Sequence, residues 1–272
     1  SKGLTSVQGL YNPDRVKGPQ RANARGSGQF QAVDWDAAIG IVRNGLVDAG
    51  GSAFLLGSGS DHLFDLVSEI TDAAGAAAPV RFSAEDMFNA EGTLLQAVQN
   101  TFGQAAYPYF DLGNADLAIS FGADFAQNWL SPVAYSRMYA KFRKGHFGRR
   151  GYLIAFEPHQ STSSGVADEW YPIVPGTEGL VALAIARLVV DYRGASGFAA
   201  LDAVDPASAA QAAGVPLERL DSVARLFATA RAPLALPGES ALGSAQGLAN
   251  AQAILSLNAM TNNLGAAGGV FL

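Results

Sequence analysis

Cysteine is missing from all 272 residues. That absence excludes a disulfide framework, a Cys-ligated zinc, an iron–sulfur cluster held by this chain and a thiol nucleophile. Histidine is scarce as well: His62, His146 and His159 are too few and too scattered in sequence for a metal site, and no metal ligand is nominated. Charged residues make up only 15% of the chain, against about 25% in average soluble proteins. The net charge is −6, so no basic field invites nucleic acid or an anionic membrane. Long apolar runs are missing too. The stretch Gly179–Val190 carries Arg187 and is too short to cross a bilayer, which points to a soluble chain with no direct membrane insertion. No Gly-X-Y or heptad period appears, which removes collagen-like and coiled-coil readings. What abounds is small and apolar: 49% hydrophobic residues and 31 glycines. Disorder is incompatible with that content, and the length suffices for one large core or two intimately packed ones. The chain opens on Ser1-Lys2-Gly3-Leu4 without an initiator Met and stops on an apolar run, Gly268-Gly269-Val270-Phe271-Leu272. Both ends are therefore expected to be cut from something longer.

The interior repeats one grammar. An irregular, basic lead-in over Tyr11–Phe30 gives way to Asp34, an N-cap for a helix bearing Trp35, Ala38, Ile39, Val42 and Leu46. A strand over Ser52–Leu56 breaks into Gly57-Ser58-Gly59-Ser60, and Asp61 begins a helix. Further strands are expected at Pro79–Phe82, Leu117–Phe121, Tyr152–Phe156, Trp170–Val174 and Pro233–Leu236. Helices are expected at Asn89–Thr101, Ser131–Lys141, from Glu178, at Pro216–Ala228 and at Ala245–Leu264. The helix after Glu178 is apolar nearly all round and should be buried. The weakly periodic Asp191–Ala213 reads as a crossing between lobes. Strands alternating with helices imply an α/β fold with mostly parallel sheets flanked by helices.

In such sheets ligands lie beyond the carboxyl ends of the strands, over helix N-termini. Those positions are heavily loaded here: Gly57-Ser58-Gly59-Ser60, Gly122-Ala123-Asp124, Glu157-Pro158-His159-Gln160-Ser161-Thr162, Pro175-Gly176-Thr177-Glu178 and Pro237-Gly238-Glu239-Ser240. Glycines let backbone N–H groups approach phosphate, hydroxyls donate, and carboxylates can pair with ribose or base N–H groups. One such turn is ordinary turn chemistry. Five in one chain point to a large nucleotide-like ligand.

These turns stand in a recognisable order. Leu10-Tyr11-Asn12-Pro13-Asp14-Arg15-Val16-Lys17-Gly18-Pro19, then Arg25-Gly26-Ser27-Gly28-Gln29-Phe30 and Asp34-Trp35-Asp36-Ala37-Ala38, resemble the segment after the iron–sulfur domain of molybdopterin oxidoreductases of the dimethyl-sulfoxide-reductase/formate-dehydrogenase superfamily. Asn114-Ala115-Asp116-Leu117 through Gly122-Ala123-Asp124 resembles that family's nucleotide-lobe strand, with Asp where Asn is commoner. Glu157-Pro158-His159 stands in place of Asp-Pro-Arg. Ala167-Asp168-Glu169-Trp170 to Pro175-Gly176-Thr177-Glu178 resembles the block ending Pro-Gly-Thr-Asp, and Asn263–Gly269 resembles the glycine-rich close of the second lobe.

The resemblance implies two interleaved lobes, one Rossmann-like over residues 107–195, inserted into a discontinuous lobe of residues 1–106 and 196–272. It implies a molybdopterin guanine dinucleotide cofactor carrying molybdenum or tungsten in the full-length protein. Gly122, Asp124, Glu157, Thr162, Gly176 and Glu178 would serve one guanine-dinucleotide arm, and Gly57, Ser58, Gly238 and Ser240 the other. Lys2 would lie between cluster and pterin as an electron-transfer residue. The family's metal ligand would fall between about Phe82 and Gly92, where this chain offers Ser83, Asp86 and Glu91. By the same resemblance the protein is part of a bacterial oxidoreductase with iron–sulfur and membrane-anchor partner subunits, at the periplasmic side of the cytoplasmic membrane. The fragment alone would be redox-inert. The wording around Gly122–Phe125, Ser131-Pro132 and Trp170 resembles subunits of membrane quinol–quinone complexes, which gives a second reading: a metal-free structural subunit. A simple nucleotide-binding module is a third.

Overall fold

The computed structural model describes residues 2–48, 51–57, 59–82, 91–144, 150–194 and 199–272, with the backbone alone for Lys2, Gly3 and Asp48. The nominated Ser58, Ser83 and Asp86 lie outside the described residues, as does the side chain of Lys2. The chain divides after Ser83 into two units.

The first unit begins with helix α1 (Lys2–Leu10), which the sequence reading left unassigned. The lead-in, expected to be irregular, contains strands β1 (Gln20–Ala22) and β2 (Phe30–Ala32), paired antiparallel. Backbone pairing needs no apolar alternation, and the left-handed Gly26 and Gly28 turn the chain back between the strands. Helix α2 (Trp35–Asp48) is capped as expected: the Ala37 amide donates to Asp34 Oδ1 at 2.6 Å. Strand β3 (Leu55–Leu56), shorter than expected, pairs in parallel with β4 (Val80–Arg81) through helix α3 (Asp61–Ala73). Phe64, Val67 and Thr71 form the buried stripe of α3, and the Arg81 guanidinium covers the Phe64 ring at 3.6 Å.

The second unit opens with α4 (Glu91–Phe102), β5 (Tyr109–Phe110) and β6 (Leu117–Phe121). Helix α5 (Pro132–Lys144), β7 (Tyr152–Glu157), β8 (Glu169–Pro172) and α6 (Glu178–Arg193) follow. The stretch read as a weak crossing holds the end of α6 and a real helix, α7 (Pro206–Ala213). Asp205 caps α7 by accepting from the amides of Ala207 and Ser208, with Pro206 at its first turn. Helix α8 (Leu217–Thr229), β9 (Pro233–Pro237), the single turn α9 (Glu239–Leu242), α10 (Gly247–Met260) and β10 (Val270–Phe271) complete it. The long closing helix expected at Ala245–Leu264 is thus shorter at both ends.

Four strands form one parallel sheet in the order β8-β7-β6-β9. Alternation sorts their side chains. Leu117, Ile119, Phe121, Ile154 and Phe156 face a core made with α6, α7 and α8, while Ala118, Leu153, Leu234 and Leu236 face one made with α4 and α5. Helix α6 is buried nearly all round, as its composition demands. Trp129 is core, whereas Trp35 is 69% exposed. Strand β9, within 196–272, is hydrogen-bonded along β6, within 107–195.

The outer edge of β9 is closed by side chains rather than by a fifth strand. Asn258 of α10, fully buried, receives the Ala235 N–H at 2.9 Å and donates to the Ala235 carbonyl at 2.9 Å. Trp129 Nε1 donates to the Pro237 carbonyl at 2.9 Å, and Asn263 Nδ2 to the Pro233 carbonyl. Pro233 and Pro237 carry no N–H to satisfy. Helix α10 therefore supplies apolar side chains to both cores and a strand-like amide to the edge between them. Asn258→Leu conserves volume but strips both Ala235 groups of partners, each loss worth about 1–3 kcal/mol. Urea unfolding should show a loss of roughly 2–5 kcal/mol.

Candidate functional site

The carboxyl ends of β6, β7 and β9 converge with the start of α6, and the site is built from their turns. After β6, Gly122 takes a left-handed φ of +72°. A Cβ there would stand 1.8 Å from Ser240 Oγ, and one on Gly238 would stand 2.0 Å from the Ala123 nitrogen. The two turns therefore abut through bare glycine backbone. The geometry groups Gly238 and Ser240 with Gly122 and Asp124, although the sequence reading assigned them to different arms. Gly57 belongs to the first unit, after β3. Glu91, half-buried, opens α4.

Two of the nominated carboxylates hold the loop after β7. Asp124 Oδ1 accepts from the Ser163 amide at 3.1 Å and the Ser163 hydroxyl at 2.8 Å. Glu157, buried, accepts from the Ser161 amide at 2.7 Å and from the hydroxyls of Ser161 and Ser164. The exposed Thr162 donates to Gln127 Oε1 at 2.9 Å, tying the same loop to the one after Asp124. Ser163 and Ser164 were not nominated from sequence, although the hydroxyl run following Glu157 carries the signal. Asp168 is likewise structural: Arg143, Arg150 and the Leu153 amide all meet its carboxylate.

Glu178 is different. It opens α6, is fully buried, and neither of its carboxylate oxygens has a hydrogen-bond partner among the described residues. Burial pushes its pKa above the ordinary 4.5, outweighing the opposing pull of its own amide, the Ser240 hydroxyl and the Gly176 amide. Those neighbours lie close without making a well-formed hydrogen bond, so Ser240 Oγ is also unpartnered. Glu239, which the sequence reading quoted in its turn but did not nominate, resembles Glu178. One of its oxygens receives the Asp124 amide at 3.4 Å, and the other is buried without a partner. Burial raises its pKa first, and the charges of Asp124 and Glu157 raise it further against the pull of its own and the Asp124 amide.

Helix packing sets where Glu178 sits. Gly179, beside it, faces Asn250 of α10 so closely that a Cβ would fall 2.3 Å from Asn250 Oδ1 and 2.9 Å from its Cα. Asn250 Nδ2 in turn donates to the Ala241 carbonyl at 3.0 Å and to Ser244 Oγ at 3.2 Å. One contact thus fixes α6 and the turn bearing Ser240 together. A glycine inside an apolar helix was the readable sign of it. Gly176, at φ +83°, has open space where a Cβ would project.

A ligand suited to this site offers hydrogen-bond donors. The unpartnered oxygens of Glu178 and Glu239 are acceptors, Ser240 can act either way, and no cation is among the groups acting on either carboxyl. The fit is to the N–H edge of a base and to sugar hydroxyls, with the open backbone at Gly176 as the approach. The glycines divide accordingly. Gly176→Ala should cost about 1–2 kcal/mol of backbone strain. Gly238→Ala should cost more, about 3 kcal/mol, because the neighbouring backbone must move. Urea unfolding of the two variants checks the order.

The chain is 26% identical over 281 residues to the menaquinone reductase molybdopterin-binding-like subunit of Nitratidesulfovibrio vulgaris, covering 99% of this chain and 39% of that one. It is 28% identical over 294 residues to the thiosulfate reductase molybdopterin-containing subunit of Salmonella typhimurium, covering 100% of this chain and 37% of that one. The chain thus spans under two fifths of the length of these relatives. Acetylene hydratase from Pelobacter acetylenicus shares the fold, with a TM-score of 0.70 at 17% identity over 95% of this chain and 37% of that one. The family model for molybdopterin oxidoreductases matches residues 15–272, and with that match over nearly its whole length the chain belongs to the molybdopterin oxidoreductase family.

Proposed function

We propose that this chain is the nucleotide-gripping central portion of a molybdopterin-dependent oxidoreductase subunit, and that the nucleotide is guanine. The observation that carries the reading is Glu178: a buried carboxylate with two unpartnered oxygens at the carboxyl end of a parallel sheet. A carboxylate can accept parallel hydrogen bonds from guanine N1–H and N2–H₂, a fork that adenine cannot offer. The bound cofactor would supply the redox chemistry through its molybdenum or tungsten centre. The chain's own residues bind and orient. Glu178 would receive the base edge, Ser240 and Glu239 would face the donors beside it, and Gly176 would let the backbone approach. Asp124, Glu157 and Thr162 would act through the loop they hold, and Gly122 and Gly238 through the close contact of their turns.

In this reading the full-length protein transfers electrons with iron–sulfur and membrane-anchor partners, at the periplasmic face of the cytoplasmic membrane. By the family resemblance, Gly57, Ser58 and Lys2 would serve the cofactor, and Ser83, Asp86 or Glu91 would supply the metal ligand. The lobe division of residues 107–195 within 1–106 and 196–272 would describe the two cofactor arms rather than the sheet. No described helix is long and apolar enough to cross a membrane.

A second reading has its own support. The relative from Nitratidesulfovibrio vulgaris, aligned over 99% of this chain, is named molybdopterin-binding-like. A metal-free structural subunit of a membrane quinone complex would keep the fold without the chemistry. Metal analysis and guanine release on acid hydrolysis of the full-length protein separate the two. Molybdenum or tungsten with guanine supports the enzyme, and neither supports the structural subunit.

Two outcomes test the main reading on this chain. Calorimetric titration should show GDP bound more tightly than ADP, with Glu178→Gln weakening GDP by roughly 10- to 100-fold and abolishing the preference. Equal affinities in the wild type would leave Glu178 as a helix-start residue favoured by the macrodipole. The chain alone, lacking any cysteine for a cluster, should give no dye-linked turnover above a boiled control.

A further inference from the structure

Four polar atoms at the mouth of the sheet are buried without a hydrogen-bond partner among the described residues: both carboxylate oxygens of Glu178, Oε1 of Glu239 and Oγ of Ser240. A sheltered carboxylate keeps its charge only if a cation or a set of donors compensates it. Otherwise it takes up a proton. The surroundings decide which. The turn after β6 presents Asp124, β7 presents Glu157, and α9 presents Glu239 itself. Helices α7 and α10, both packed near α6, contain no ionisable residue. Helix α8 carries Glu218, Arg219, Asp221 and Arg225, but none of them acts on either carboxyl, and Arg219 acts on Tyr171 instead. Among the described residues no cluster of three or more His, Asp or Glu is placed to hold a metal ion. The donors that do pull on the Glu178 carboxyl, its own amide, the Ser240 hydroxyl and the Gly176 amide, are outweighed by burial.

We propose that Glu178 and Glu239 are protonated acids in the ligand-free chain, and that a donor-rich base entering the site displaces the proton of Glu178, so that nucleotide binding is coupled to proton release. The proposal rests on the guanine reading given above and adds to it a regulation by pH. The exchange balances simply. The Glu178 carboxyl gives its proton to solvent, and the resulting carboxylate accepts the two N–H groups of the base. Nothing is oxidised or transferred besides that proton.

The signs follow from burial. Both carboxyls are pushed above their ordinary 4.5. Below the raised value, each ligand bound should release up to one proton, and affinity should fall about tenfold for each further unit of acidity. Above it, binding should be independent of pH. For the ligand-free fold the linkage runs the other way: the stability these acids contribute is full below 4.5 and is lost as pH rises through the raised folded value. Glu178→Gln, a neutral isostere, should therefore raise the melting temperature of the ligand-free chain near neutral pH while discarding guanine preference. A residue retained only to start a helix would show the opposite, because losing its favourable macrodipole interaction lowers stability.

The experiment has two arms on the same chain. In the first, carboxyl-¹³C-glutamate protein is titrated by NMR without ligand, with Glu178 and Glu239 assigned through Glu178→Gln and Glu239→Gln. Midpoints above the ordinary glutamate range are expected, and ordinary midpoints for both would overturn the proposal. In the second, GDP is titrated calorimetrically at mildly acidic pH in two buffers of different ionisation heat. Buffer-dependent heats showing proton release, lost in Glu178→Gln, support the coupling. GDP preferred over ADP with buffer-independent heats and flat affinity across the same pH range would overturn the coupling and leave the guanine reading standing. Absence of any GDP preference would remove the guanine reading and the coupling with it.

Discussion

The pairing of β9 along β6 is the constraint on which the second unit depends. It places two turns from distant parts of the sequence side by side, Gly122 against Gly238 and Ser240. Without it Leu234 and Leu236 would not complete their core, and Ser240 would not stand near Glu178. The pairing is possible because β9 needs nothing on its other side. Asn258, Asn263 and Trp129 occupy that edge with side-chain hydrogen bonds, and two prolines remove the donors that would otherwise be exposed. An open sheet edge invites association with another chain. Here it is closed from within, in part by Asn258 of the helix that serves both cores.

The acidic residues of the site divide by what they already hold. Asp124 and Glu157 are engaged with serines of a single loop, so their negative charge is matched by donors of this chain. Glu178 makes no well-formed hydrogen bond among the described residues, and Glu239 makes one with a single oxygen. A fold retains buried, unpartnered carboxyl oxygens at a cost in stability, and such groups concentrate where a ligand or a proton supplies the missing partner. The contact of Gly179 with Asn250 shows that Glu178 is held in this position by tight helix packing.

Family membership and local geometry answer different questions. The family match runs through both units, and the relatives are subunits of larger size than this chain. What the geometry adds is a distinction the names do not make, between residues that shape the turns and residues with a polar atom left unmatched among the described residues. The former include the glycines at the turn contact and the serines after β7. The latter are Glu178, Glu239 and Ser240.

The sequence by itself determined the alternation of strands and helices, the capping of α2 by Asp34, the burial of α6 and the run of loaded turns, because these follow from local periodicity and backbone preference. It also carried the family's blocks in order. It did not reveal the β1–β2 pair or the cap at Asp205, whose signals are short and free of apolar period. Tertiary structure alone decided that β9 belongs beside β6, that Gly238 and Ser240 share a site with Gly122, and that Asp124 and Glu157 are spent on a loop. It also decided that Glu239, passed over in the sequence, meets Asp124 with one oxygen and leaves the other unmatched among the described residues. The physical reason is that hydrogen-bond satisfaction depends on which groups meet in space. Two glutamates that start helical turns look alike along a chain, and only packing determines which finds its donors.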